Sequence, residues 1–199
     1  MNRLVVIFGL ALAACSNAPA APAAPPPPPE RSDVINRGGA PLTLVGKTLE
    51  VGDAFPAITL ADAKLAPVDL AQYKGKVLVL SVVPSIDTKV CESQTHHVND
   101  AADLMPKGTQ VFTVSRDLPF AQSRFHDEAI IRHDLLSDYK GGDLGKKMGL
   151  EVKESGLLAR SVWVIGTDGN VAYREIVADQ GTEPNYDALV AAAKKAAGG

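Results

Sequence analysis

The run Lys76-Val77-Leu78-Val79-Leu80-Ser81-Val82-Val83 constrains the fold more than any other stretch of the chain. A strand with one face in water alternates apolar and polar residues. This one is continuously apolar and rich in β-branched residues, so it must be covered on both faces, as in a partly parallel central sheet. Other segments supply its neighbours. Gln110–Ser115 reads as a second apolar strand and Ser161–Gly166 as a third, turned by Asp168-Gly169 into Val171–Arg174, because a DG pair between apolar runs is a strong hairpin signal. Helices are expected over Thr88–Leu104, Ala121–Ile130 and Pro184–Ala197. Strands alternating with helices place the chain in the α/β class, a central mixed sheet flanked by helices. Upstream, Leu42–Val45 and Thr48–Val51 around Gly46-Lys47 predict an N-terminal β-hairpin. Asp53–Leu60 predicts another extended piece, held to an edge by Pro56.

Residues 1–37 read differently. Arg3, the apolar run Leu4–Leu12 and the small residues before Cys15 have the three-part layout of a secretory signal, and the run is too short for a permanent membrane span. Leu12-Ala13-Ala14-Cys15 resembles the bacterial lipobox, whose cysteine becomes the lipidated first residue of the mature chain; a plain signal peptide with a chance cysteine is the alternative. Lipidated, Cys15 is a thioether that holds the protein on a membrane, each buried methylene contributing about 0.8 kcal/mol. Ser16 after the cysteine resembles the sorting signal for the outer membrane. From Ser16 to about Arg37 the chain contains Ala-Pro repeats and the run Pro25–Pro29, which cannot build helix or sheet and extends as polyproline II at ~3.1 Å per residue. A tether next to an anchor is one use of it, a ligand for an aromatic-lined groove the other. The expected division is a signal peptide (1–14), a lipidated cysteine with an Ala/Pro-rich tether (15–37) and a folded domain (38–199) in the bacterial cell envelope, at the outer membrane or periplasmic face.

Composition removes several function classes. A formal net charge of -3 without long basic runs gives no electrostatic reason for a nucleic-acid partner. Two cysteines, Cys15 and Cys91, are too few for a disulfide scaffold, so the domain is held by burial of its own core. His96 and His97 are adjacent, and neighbouring helical residues do not converge on one ligand, so neither a metal nor a cofactor is expected. Trp163, among apolar strand neighbours, reads as core.

Cys91 needs its own explanation. It follows the buried strand, in the first turn of the next helix, within Pro84-Ser85-Ile86-Asp87-Thr88-Lys89-Val90-Cys91. Helix N-termini expose free N–H groups and a partial positive charge, and thiols placed there ionise more readily. A thiolate attacks a peroxide O–O bond and becomes a sulfenic acid. A buried structural cysteine is the alternative. Thr88 alone reads equally as an N-cap and Pro84 as a strand terminator.

Pro84, Thr88 and Cys91 match the Pro-x-x-x-Thr-x-x-Cys motif, and the chain here resembles the peroxiredoxin family. Gly39–Gly46, Pro84–Thr88, Ser115–Phe125 and Thr182–Tyr186 look like signatures of its thiol peroxidase branch and span about residues 38 to 197. The resemblance implies a thioredoxin-like fold, a peroxide substrate, a thiol reductant and a homodimer. It also implies roles. Pro84 shields the thiolate, Thr88 bridges it and the peroxide, and the family's arginine, supplied here by Gly156–Val162, makes Arg160 the candidate for holding the peroxide oxygens. Phe120 and Gln122 look like lining of the substrate pocket and dimer contact.

The chain departs from the branch at one place. Thiol peroxidases usually carry a resolving cysteine after the Ser-Arg-Phe of the third signature, where this chain has His126. Imidazole forms no disulfide with a sulfenic acid, so the expected mechanism uses one cysteine and an external thiol, either a small thiol or a thioredoxin-like protein. His126 itself reads as a surface or packing histidine. A disulfide oxidoreductase is excluded, because Gln94 and Thr88 stand where a Cys-x-x-Cys pair would need cysteines. A redox sensor or binding protein of the envelope, oxidised at Cys91 without efficient turnover, remains the alternative.

Overall fold

The computed structural model describes residues 26–198. The signal peptide, Cys15 and residues 16–25 of the Ala/Pro-rich segment lie outside the described residues.

The apolar run forms β5 (Leu78–Val82), and all five residues are buried. It pairs in parallel with β6 (Gln110–Ser115) and antiparallel with β9 (Ser161–Ile165). With β3 (Thr59–Ala61), β4 (Pro67–Asp69), β7 (Asp134–Ser137) and β10 (Val171–Ile176) these make a seven-stranded mixed sheet in the order β10-β9-β5-β6-β7-β3-β4. Alternation along β5 splits the core as a period of two requires. Leu78, Leu80 and Val82 point to one side, with Phe112, Val114, Leu136 and Trp163. Val77 and Val79 point to the other, with Val111, Val162 and Val164.

Different layers cover the two faces. Val98, Ala101 and Met105, from α1 (Lys89–Ala102) and just beyond it, pack on the valine side with Leu189, Val190 and Ala193 of α4 (Tyr186–Ala197). The opposite face receives Leu144 and Met148 of the short α3 (Asp143–Met148), and Leu44 and Val152 from a three-stranded sheet of β1 (Glu30–Arg37), β2 (Ala40–Val45) and β8 (Glu151–Val152). The last helix, α2 (Pro119–Glu128), packs beside β7.

The expected α/β layout is present, but the N-terminal hairpin differs from expectation. It forms between β1 and β2, with Gly38 and Gly39 in the turn at φ 58° and 86°, a left-handed conformation that suits glycine. The expected turn at Gly46-Lys47 and strand at Thr48–Val51 are not there. Ordered sheet therefore begins at Glu30, eight residues before the expected boundary at 38 and close behind the prolines. Glu-Arg-Ser-Asp-Val-Ile-Asn-Arg hides this strand because it is polar and mostly exposed, anchored in the core by Ile35 alone. Gly46 instead ends β2 against Gly149, where a Cβ on Gly149 would stand 2.6 Å from the Lys47 carbonyl oxygen.

Candidate active site

The connection from β5 to α1 positions the sulfur. Val83 still donates to the Val114 carbonyl at 2.9 Å; Pro84, next, has no N–H to offer and ends the ladder. Asp117, after β6, then grips the loop: one carboxylate oxygen accepts from Ser85 Oγ at 2.8 Å and the other from the Ile86 N–H at 2.8 Å. Thr88 takes the N-cap position with extended backbone, yet its hydroxyl does not cap the helix; it donates to the Ser85 carbonyl at 3.3 Å. Its oxygen thus remains open at the exposed lip of the loop. Cys91 follows in the first turn of α1, its N–H on the Thr88 carbonyl at 3.0 Å.

The Cys91 side chain is 0% exposed, packed with Val83, Ile86, Ile131 and Leu135, against Ala121, Phe125 and Ala129 on α2 and just beyond it. Arg160, immediately before β9 and 2% exposed, reaches it: Nη2 lies 3.3 Å from Sγ. Neutral oxygens otherwise surround the guanidinium. Nη1 donates to Gln94 Oε1 at 2.6 Å, and Nε to the Gln180 carbonyl at 3.1 Å. Gln94 is fixed in turn by Ser81 of β5, whose Oγ accepts from Nε2 at 2.9 Å. Among the described residues no carboxylate pairs with Arg160. A full positive charge, shut from water, thus faces the sulfur, and Nη2 has a second N–H to offer beside it. This arrangement stabilises negative charge on sulfur or on an oxygen bound next to it.

Of the residues singled out in the sequence, Cys91 and Arg160 are in contact, and Pro84 and Thr88 belong to the loop that sets the helix start. Phe120 and Gln122 lie apart. Phe120 is 64% exposed near the start of α2. Gln122 is 1% exposed and donates to Ser115 Oγ at 2.8 Å and the Leu136 carbonyl at 3.0 Å, which ties α2 to β6 and β7. The face of α2 turned to the sulfur is that of Ala121 and Phe125. Gln122 and His126, one position on, line a separate cavity of about 310 Å³ with Ser123, Tyr73 and Lys64, and neither Cys91 nor Arg160 borders it. His126 Nδ1 stands 3.4 Å from an oxygen of Asp127.

Three contributors escape a sequence reading: Gln94, Gln180 and Asp117. Gln94 alone leaves a local trace, since it lies three positions after Cys91 and so on the same helix face. A further cluster holds the end of α1 nearest the site. The Glu183 carboxylate accepts from Ser93 Oγ at 2.7 Å and from the Tyr186 hydroxyl, and meets His97 Nδ1 at 2.7 Å. Burial pushes its pKa up, but the hydrogen bonds from Tyr186, Ser93 and His97 outweigh that and hold it below the usual carboxylate range. Among the described residues no three His, Cys, Asp or Glu side chains are grouped to hold a metal ion.

The chain is similar to known proteins in both sequence and structure. The model of the family described as Redoxin matches residues 50–190. The thiol peroxidase of Bacillus subtilis is 43% identical over 157 residues, which is 78% of this chain and 93% of that protein. The thiol peroxidase of Listeria monocytogenes is 44% identical over 78% of this chain and 94% of its own. Among solved structures, a peroxiredoxin-like protein from Aquifex aeolicus superposes with a TM-score of 0.76 at 37% identity, covering 83% of this chain and 98% of the other. The fold is the thioredoxin-like fold of peroxiredoxins. Identity at this level, sustained over more than nine-tenths of the relatives' length, means that the chain belongs to the Redoxin family and, within it, to the thiol peroxidase branch of the peroxiredoxin enzymes.

Proposed function

We propose that the protein is a thiol-dependent peroxidase that reduces hydrogen peroxide and organic hydroperoxides through Cys91 and is recycled by an external thiol. The observation that carries this is the Arg160 guanidinium, 3.3 Å from Cys91 Sγ and without a carboxylate partner among the described residues. The Cys91 thiolate attacks the nearer peroxide oxygen, the O–O bond breaks, and the alkoxide or hydroxide leaves as alcohol or water after taking a proton. Arg160 holds the charge that grows on the departing oxygen. Thr88, its oxygen open at the loop lip, both accepts from and donates to the bound peroxide, and Pro84 keeps bulk water from the sulfur. The sulfenic acid then condenses with an external thiol, losing water to form a mixed disulfide, and a second thiol releases the reduced enzyme with a disulfide as the other product.

The one-cysteine cycle rests on sequence, since His126 stands where a resolving cysteine is usual. The lipobox at residues 12–15 and the following prolines support a lipid-anchored enzyme of the cell envelope, and the branch's habit supports a homodimer. Mass spectrometry of Cys91 after peroxide, with and without added thiols, tests the cycle. Sulfenic acid first, then an adduct of the added thiol and repeated turnover, is the expected course. A Cys91→Ser variant that destroys peroxide as fast as the parent overturns the assignment. One equivalent of peroxide consumed, with no cycling under any thiol, would instead indicate a sensor.

A further inference from the structure

Arg160 can serve the sulfur only if its long side chain is held, and one residue touches it from both ends. Gln180, 5% exposed in the loop between β10 and α4, accepts from the Arg160 backbone N–H through Oε1 at 2.5 Å, while its own carbonyl accepts from Arg160 Nε at 3.1 Å. Its Nε2 donates to the Val177 carbonyl at 2.6 Å, and Val177 N–H returns to the Arg160 carbonyl at 3.0 Å. Every polar group of the Gln180 side chain is therefore spent on shaping one short ring of chain around Arg160. That ring is braced from outside by the N-terminal hairpin: Asn36 of β1 accepts from the Gln180 N–H at 2.8 Å and donates its own N–H to the Ala178 carbonyl at 2.7 Å.

We infer that Gln180 is a positioning residue for the peroxidase reaction, setting the guanidinium of Arg160 against Cys91, and that the first strand of the domain supports it in this. The inference rests on the peroxidase reading above and deepens it. Gln180 touches neither the sulfur nor a peroxide site directly. A flexible arginine has several rotatable bonds, and only a fraction of its rotamers bring Nη2 to Sγ; a carbonyl fixed under Nε and an amide fixed under its backbone N–H select among them. The carbonyl under Nε belongs to the Gln180 main chain, and the side chain fixes it there by holding the Arg160 N–H through Oε1 and the Val177 carbonyl through Nε2, two bonds that a side chain merely filling space would not need.

The test uses the full reduced chain and hydrogen peroxide in single turnover, with the oxidation of Cys91 followed by the mass of its peptide. Gln180→Met, similar in length but unable to hydrogen-bond, is expected to slow oxidation about tenfold, as is usual for loss of an orienting contact. In an Arg160→Met background the same change is expected to have less than about a twofold further effect, because there is no guanidinium left to position. Parental rates for Gln180→Met overturn the inference, as do losses that simply multiply in the double variant, the signature of a general structural defect. Should Gln180→Met fail to fold, Gln180→Asn, which keeps an amide but withdraws its oxygen by one methylene, is carried through the same cycle with the same expectations. A parent chain that leaves peroxide untouched would refute the peroxidase reading itself, an outcome distinct from parental rates in the variants.

Discussion

Two largely buried arginines lie on this sheet's edges and loops, and their surroundings differ in one respect. Arg116, at the end of β6, meets carboxylates: Nη2 is 2.7 Å from Glu151 and Nε 3.6 Å from Asp138. Asp138 is itself buried, which pushes its pKa up against the N–H groups of Leu144 and Gly145 and the Arg116 charge. Arg160 meets only amide and carbonyl oxygens and the sulfur. The first charge is consumed inside the fold, holding α3 and β8 to the end of the sheet. The second is kept available. An unneutralised buried cation is costly, and a site that keeps one has a use for an anion next to it.

Exchanging the two roles is the sharpest way to break that comparison. Arg160→Met is expected to slow oxidation of Cys91 on the order of 10²-fold, the usual effect of deleting a donor to developing charge, with little change in thermal unfolding; stopped-flow kinetics and calorimetry measure the two. Arg116→Met is expected to behave oppositely, costing about 3 kcal/mol of stability because it strands the buried Asp138, while the rate constant per folded molecule stays within about threefold of the parent. Denaturant unfolding checks it, and a rate loss as large as that of Arg160→Met would erase the distinction. Gln94→Glu makes Arg160 resemble Arg116 by giving it a carboxylate where an amide stood 2.6 Å away. The expected result is a roughly tenfold slower reaction in a protein that folds normally.

A third basic side chain extends the comparison. His133 accepts or donates through Nε2 at 2.8 Å from Thr113 Oγ1, its Nδ1 buried without a protein partner. Burial first, then the charges of His126 and Arg132, lowers its pKa to about 4. Here the fold refuses the charge that it tolerates on Arg160. The folded-state pKa lies below the ordinary value of 6.5, so between pH 6.5 and 4 the unfolded chain binds more protons. The contribution is present in full well above pH 6.5 and is lost as pH falls toward 4, by about 3 kcal/mol. Unfolding of the parent and of His133→Gln across this range tests it. Parallel curves would remove His133 as the source.

What could be seen in the sequence follows from the range of each interaction. Cys91 was visible because strand, proline, threonine and helix start are contiguous, so local chemistry and position coincide. The four apolar positions of β5 were visible because burial on both faces leaves no alternation to confuse. Arg160 was visible only through likeness to a family, since its 69-residue separation from Cys91 carries no local mark. Gln180 gave no sign at all, and Asp117, though inside the Ser115–Phe125 signature, gave none of its role: their work is hydrogen bonding to loops, and polar residues in loops look alike until the loops meet. β7 and α3 are too short, at four and six residues, to show a period. β1 was misread as tether because its polar surface and the prolines before it are what a solvated linker also has. Gln122 resembled pocket lining by motif, whereas its helix face turns it away from the sulfur.

A sulfur with no surface of its own sorts its visitors by size. A peroxide is two linked oxygen atoms and asks little room beside Cys91, whereas a second sulfur on a bulky thiol needs the cluster of Val83, Ile86, Ile131 and Leu135 around Sγ to yield. Under the external-thiol cycle proposed above, capture of the oxidant and renewal of the thiol therefore run on separate clocks, the second set by how readily the packing around Cys91 makes room for a partner sulfur.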